Sequence, residues 1–378
     1  MDFSFNDIQQ MLQDSASRFV RNDYDFDSRQ KIVHGDTGFS EAHWSLFAEL
    51  GWLALPFPEE FGGMDGSLVD LAVLQTELGR GLVIEPYLST VVMAGNLINR
   101  HGSEAQKQAL LEPLIGGEQR YSFAGFEAAA QNDIRQISTL AKSEGDGYVL
   151  NGNKAVVLGA GTGTQMLVVA RTDSEAGSAD GLSVFIVPED AEGVSLHAYT
   201  TNDGFRAADV SLTHVSLGAD ALLGEAGSAG PAIQAMLNDA IVALGAEAVG
   251  VMESLLNRTV EFCKVRKQFG VPIGTFQVLQ HRMADMFMEC EQAKSMLYYA
   301  AIAVSSGTDA DAAASRLKVK IGNAGRLVGQ QAVQLHGGMG VTDELDVGHF
   351  FKRITMINTL LGSRDEHLNR LVQAESAA

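Results

Sequence analysis

The spacing of apolar residues changes period twice along the 378 residues, and this double change rules out most architectures. From Phe5 to about Ile115, Ile8, Met11, Leu12, Ser15 and Phe19, then Leu71, Leu74, Leu78 and Leu82, recur at three and four, the spacing of helices that bury one face. Between about Tyr121 and Leu223 the pattern becomes short apolar runs (148–150, 155–158, 166–170, 182–187) separated by Gly, Asp and Asn, as strands and turns require. Beyond Gly227 the helical period returns over 233–265, 276–305, 311–335 and 345–373. The chain therefore reads as α+β: a helical N-terminal domain over 1–117, a small antiparallel β-barrel or sandwich over 118–225, and a bundle of antiparallel helices over 226–378. Residues 56–63, rich in Pro and Gly, read as a loop, and Asn151-Gly152 as a hairpin turn.

Charge and cysteine usage exclude several function classes. With 27 basic and 47 acidic residues the net charge is -20, which opposes nonspecific binding to nucleic acid or to an anionic membrane. A local basic pocket for a phosphorylated ligand stays open, with Arg266-Lys267 and Lys352-Arg353 as candidates. Cys263 and Cys290 are the only cysteines, too few for a disulfide framework or a thiolate cluster, which fits a reducing cytoplasm. The first seven residues lack a basic and an apolar region, so no secretory signal is expected. The apolar runs read as shorter than the roughly 18 residues of a membrane span. The histidines show no ligand spacing, so no metal site is expected. Hydrolase elbows and phosphate-binding Gly-Lys-Ser/Thr loops are missing too.

One carboxylate stands out. Glu247 lies in the apolar run 240–252, which holds no Lys or Arg. A buried unpaired carboxylate has its pKa raised by desolvation, as suits a base that takes a proton from a weakly acidic carbon. The alternative is a structural residue facing water or a distant arginine. Two further segments have the same double reading. Gly337-Gly338-Met339-Gly340, after Gln334-Leu335-His336, is either a helix C-cap or a place where backbone approaches an adenosine diphosphate group. Arg266 at a helix end either complements the helix dipole or pairs with a pyrophosphate.

Residues 266–286 (RKQFGVPIGTFQVLQHRMADM) and 332–340 (AVQLHGGMG) resemble the C-terminal helical domain of the acyl-CoA dehydrogenases, and the α-β-α order agrees along the chain. Residues 1–3, 56–63 and 351–357 resemble, more narrowly, the small subunit of bacterial two-component pimeloyl-CoA dehydrogenases. The resemblance implies a fold with a helical N-terminal domain, a small β-barrel and a C-terminal four-helix bundle. It implies FAD, an acyl-CoA substrate that could be dicarboxylyl, an electron-transferring flavoprotein as acceptor, and a homotetramer or a heterotetramer with a large subunit. By the same analogy Arg266, Gln268 and Phe269 reach the cofactor of a neighbouring subunit with Gln277 nearby, while Gln334, His336, Gly337 and Gly338 border its adenosine end.

Three departures qualify this. The Tyr-Glu-Gly-Thr segment that carries the base in many members is replaced by Ile357–Ser363. Other members place the base on the helix before the Arg-x-Gln-Phe-Gly motif, which favours Glu247, with Asp365 and Glu366 as the fallback. The flavin-holding Thr-Glu-Pro-Gly-x-Gly-Ser-Asp loop is replaced by residues 122–128, and Val156 and Leu158 stand for the usual flavin-facing Trp and Thr, so flavin contacts there would come from backbone groups. An α,β-dehydrogenase with Glu247 as base is the reading adopted; a silent partner subunit and an oxygen-using oxidase are the alternatives.

Overall fold

The computed structural model describes residues 5–172 and 177–377; residues 1–3, part of the narrower resemblance, lie outside them. Six helices come first: α1 (Asp7–Asn22), α2 (Phe26–His34), α3 (Glu41–Glu49), α4 (Leu68–Arg80), α5 (Asn96–His101) and α6 (Glu104–Ile115). Eight strands follow: β1 (Tyr121–Ala124), β2 (Leu140–Glu144), β3 (Gly147–Leu158), β4 (Gln165–Arg171), β5 (Leu182–Pro188), β6 (Val194–Thr200), β7 (Arg206–Gly218) and β8 (Leu222–Leu223). The rest is α7 (Gly230–Val265), a hairpin of β9 (Lys267–Gln268) and β10 (Val271–Pro272), then α8 (Gln277–Ser305), α9 (Ala310–His336), α10 (Asp346–Thr359) and α11 (Arg364–Ala377). The expected helical, β and helical-bundle order is what the chain adopts. Its contacts group it into two compact units that cut across the three-part division: Met1–Lys31 with Ser67–Val83 and Ile241–Ala378, and Ile32–Gly66 with Ile84–Ala240.

In the first unit α9 packs on α8, α10 and α11, and α4 on α1 and α8. Caps start the helices where the sequence offers them: Asn6 and Ser67 each accept from the third residue of the helix that follows, whose side chain returns a bond. Helices α4 and α7 meet backbone to backbone. A Cβ at Gly250 would lie 2.0 Å from the Thr76 carbonyl oxygen, and one at Gly79 would lie 2.2 Å from that of Glu247. Neither position tolerates a side chain without separating the helices. Gly250→Ala is therefore expected to cost about 2–3 kcal/mol or more through overpacking, read by urea unfolding; parental stability would contradict this close approach.

Helix α7 corrects a sequence expectation. It is long and apolar enough over one 18-residue window to cross a membrane, yet 94% of that window is buried inside the protein, so it is a core helix. The last helical stretch, read as one over 345–373, is two. Leu361 (φ 58°) and Gly362 (φ 103°) are both left-handed and separate α10 from α11.

In the second unit the strands form one eight-stranded sheet in the order β6-β7-β3-β2-β4-β5-β8, with β1 added beside β4. The sheet is mixed rather than purely antiparallel, because β1 runs parallel to β4, from Tyr121↔Gln165 to Ala124↔Val168. Its core includes Leu150, Val157, Met166, Val168, Phe185, Val210 and Val215. The hairpin joining β2 to β3 turns at Gly145-Asp146, inside the Glu144↔Gly147 pair. Asn151-Gly152, the sequence's turn signal, lies within β3 instead. A Cβ on Gly152 would sit 2.3 Å from Thr139 Oγ1, so that glycine serves close packing.

Candidate functional site

The residues proposed from sequence fall into two groups on the C-terminal helices. Arg266, Gln268 and Phe269 lie on the β9–β10 hairpin, which leaves the end of α7 and turns at Phe269-Gly270. Both turn residues have positive φ, 53° and 82°, as a two-residue hairpin of this hand requires. Phe269 is 93% exposed and touches Phe276 edge-on at 6.2 Å. Arg266, Gln268 and Gln277 are exposed, and none of their side chains bonds to another described residue. The short hairpin thus presents to its surroundings an apolar ring and a guanidinium that bonds to no other described residue.

The end of α9 lies beside the base of this hairpin. The His336 ring stacks on Phe262 at 4.4 Å between centroids, four positions before Arg266. His336 is 6% exposed, and its Nδ1–H donates to the Ala332 carbonyl at 2.8 Å. Burial pushes its pKa below the usual imidazole value. His336 thus packs the two helix ends together and has one ring nitrogen, Nε2, left for any ligand. Gly337 caps the helix at φ 62°, and a Cβ on Gly337 or Gly338 would meet nothing within 4 Å. With Gln334 exposed beside them, these glycines leave open space where a flat or phosphorylated group can approach the backbone. The donors fit a dinucleotide such as FAD: a free guanidinium for pyrophosphate, side-chain amides, an aromatic face and an open glycine backbone.

Glu247 is elsewhere. Eighteen residues of helix separate it from Val265, about 27 Å at the α-helical rise. It is not unpaired. Arg353 of α10 donates from Nε to Oε1 at 2.5 Å and from its Nη2 to Oε2 at 2.7 Å. Both partners are buried. The expectation of an unpaired carboxylate is thus corrected: the distant-arginine alternative is the one the fold adopts, with the arginine 106 positions away. The same pair removes Arg353 from the basic candidates, and Lys352 is engaged by Asp343 at 3.1 Å.

The segment standing where relatives carry the Tyr-Glu-Gly-Thr base is also built from structural groups. Leu361 is buried. His367, fully buried, donates from Nε2 to the Leu361 carbonyl at 2.9 Å while its Nδ1 accepts from the Ser315 hydroxyl at 3.1 Å. Lys318 donates to the Ile357 carbonyl at 2.5 Å. Burial brings the His367 imidazole down to about 4 and the Lys318 amine down to about 7. The fallback acids are committed too: Glu366 accepts from the Ser363 N–H at 2.5 Å in the cap of α11, and the exposed Asp365 pairs with Arg364 at 3.0 Å.

In the β unit, residues 122–128 are anchored from beneath. Glu127 accepts from Lys154 Nζ at 2.9 Å and from the Ser138 and Thr139 hydroxyls at 2.6 Å each. Burial opposes its charge, yet Lys154 and the two hydroxyls outweigh it and bring the carboxyl to about 2. Above this pair the Ala155 N–H donates to the Phe126 carbonyl at 3.0 Å, and the Val156 N–H to Asp209 Oδ1 at 3.0 Å. Of the backbone groups to which flavin contacts were assigned here, these two N–H groups are satisfied internally. Asp209 gave no signal in the sequence, since an acid alternating with apolar residues reads as a solvated strand face.

Comparison with known proteins agrees with this geometry. Family models of the acyl-CoA dehydrogenase N-terminal, middle and C-terminal domains match residues 6–118, 122–217 and 230–375. A probable acyl-CoA dehydrogenase, fadE25 of Mycobacterium leprae, is 32% identical over 326 residues, 84% of each chain. Among solved structures, a Tcur3481-Tcur3483 steroid ACAD variant superposes with a TM-score of 0.87 at 31% identity over 98% of both chains. PigA with FAD and proline does so with a TM-score of 0.92 at 26% identity, over 100% of this chain and 99% of that one. Domain order, fold and the Arg-x-Gln-Phe-Gly hairpin together place the chain in the acyl-CoA dehydrogenase family of flavin-dependent oxidoreductases.

Proposed function

We propose that the chain takes part in the α,β-dehydrogenation of an acyl-CoA thioester, as one subunit of a tetramer that hands electrons to an electron-transferring flavoprotein. The observation that carries this reading is the exposed hairpin, with the side chains of Arg266 and Gln268 unbonded among the described residues and Phe269 93% exposed. Bound FAD would supply the hydride acceptor for the β carbon. Arg266 would hold a pyrophosphate with its fork of donors, and Phe269 would cover an apolar ring. Gln277 and Gln334 would offer amides, with Gly337 and Gly338 letting the adenosine end come close to backbone. A dicarboxylyl chain is supported by the likeness of residues 56–63 and 351–357 to pimeloyl-CoA dehydrogenase small subunits. Its distal carboxylate would need a cation from outside 351–357, because Lys352 and Arg353 are engaged.

The α-proton acceptor divides this proposal into two versions. Glu247 would have to take the proton against its buried bidentate pair with Arg353, which favours the charged carboxylate. A second reading follows from that pair and from the buried Leu361 at the usual base position: this chain supports the flavin site of a different, large subunit that carries the base. The visible spectrum of the chain purified alone, then titrated anaerobically with acyl-CoA thioesters, separates the versions. Flavin absorbance bleached by one thioester class establishes the chain as the catalytic subunit. A colourless protein that gains flavin on co-expression with a large subunit establishes the supporting role; no flavin in either case overturns the proposal.

A further inference from the structure

Strand β3 holds a residue in a conformation that its side chain disfavours. Val156 has φ 53°, in the left-handed region that β-branched residues almost never occupy. The cause is a bulge. Lys154 pairs with Val210 and Val157 with Ala208, so Ala155 and Val156 together face a single residue of β7, Asp209. The extra residue restores burial on both sides, because Lys154 and Val157 are each buried while Val156 between them is 45% exposed.

Asp209 meets the bulge with its side chain. Oδ1 accepts the Val156 N–H at 3.0 Å, replacing the ladder bond that the bulge removes. The Tyr199 hydroxyl donates to the same oxygen at 3.1 Å, fixing the direction of the carboxylate from β6. A second irregularity on the same strand pair uses the same device in reverse: His214 of β7, also at φ 53°, donates its N–H to the side-chain oxygen of Asn151 on β3 at 2.9 Å. Of the two, only the Val156 bulge holds a β-branched residue at positive φ, and strained positions of this kind concentrate at functional sites.

We infer that Asp209 is a positioning residue for the cofactor face of β3, holding the Val156 isopropyl group outward as an apolar contact for the flavin. The inference rests on the flavin reading above, since Val156 occupies the position that faces flavin in the resembling family. With the Ala155 and Val156 N–H groups both satisfied internally, the bulge offers the ring a hydrocarbon surface and no donor of its own from those two amides. Asp209 acts only through Val156, and this makes the role testable.

The test is a double-mutant cycle on the full chain, in whichever assembly retains flavin, with FAD affinity of the stripped protein as readout. D209A is expected to weaken FAD binding about tenfold, and D209N, whose amide oxygen still accepts, by less than threefold. V156G removes the isopropyl group and the strain together, so adding D209A to V156G is expected to change affinity by less than twofold. Amide hydrogen exchange at Val156, measured without FAD, is expected to accelerate at least tenfold in D209A. Unchanged affinity in D209A, or an equal tenfold loss with and without V156G, overturns the inference. Unchanged exchange at Val156 overturns the clamp itself. A parental protein that takes up no FAD in any assembly, with exchange still accelerated in D209A, instead overturns the flavin reading and leaves Asp209 as a purely structural clamp.

Discussion

Arg353→Leu is expected to destabilise the protein by about 3–5 kcal/mol, because it leaves the Glu247 carboxylate buried without its counter-charge. Glu247→Leu should cost a similar amount by stranding the guanidinium. The double variant should be more stable than either single one, since a well-packed apolar pair avoids the desolvation of both charges. Urea unfolding of the four proteins measures this coupling. Simple additivity of the two losses would show that the groups do not form a pair. Glu247→Gln addresses chemistry separately. As a structural residue, Glu247 replaced by Gln should leave turnover per folded molecule within about tenfold of the parent, well short of the loss that removal of a general base causes. A loss of two orders of magnitude at parental stability would return Glu247 to the role of base.

The second large effect is on pH dependence. His367 is buried neutral, with its pKa lowered from 6.5 to about 4. Its stabilising contribution is complete above the unfolded value of 6.5. As pH falls from there to 4, the unfolded chain takes up a proton that the folded chain refuses, and the contribution is lost. A shift of that size corresponds to about 3 kcal/mol. Lys318 extends the trend upward: its amine, lowered to about 7, gives stability that grows as pH rises from 7 toward its unfolded value. Unfolding free energies of the parent and His367→Gln, measured from pH 4 to 7, isolate the imidazole, since carboxylate effects are shared by both. The parent should lose about 3 kcal/mol more than the variant over that window. Parallel curves would place a charged His367 in the folded protein.

The helices and the middle β region were legible because their apolar periods differ and each runs for many residues. Arg266, Gln268 and Phe269 were singled out by likeness to a family motif, and being neighbours in sequence they share one short hairpin. Glu247 was misjudged as unpaired for a physical reason: its partner comes from a helix 106 positions later, and no local window contains it. Asn151-Gly152 carried a true turn preference, but Thr139 packs against that glycine and the strand continues through an irregularity there without turning back. The break at Leu361 was hidden because leucine rarely takes a left-handed conformation; His367 on the Leu361 carbonyl itself and Lys318 on the Ile357 carbonyl before it hold the segment there. Asp209 was invisible because its importance depends on a bulge in the opposing strand.

The grouping of the N-terminal helices with the C-terminal bundle bears on how the chain is made. Arg80 of α4 pairs with Glu253 of α7, 173 positions later, and the backbone contacts at Gly79 and Gly250 link the same helices. At ordinary translation rates α4 leaves the ribosome roughly 10 to 35 s before that partner. During this interval only α1 is at hand to cover its apolar face, the side that meets α7 and α8 stays open, and α7, when it emerges, is still more apolar. Biosynthesis of this protein is therefore a problem of delayed closure, in which the first unit to be started is the last to be finished.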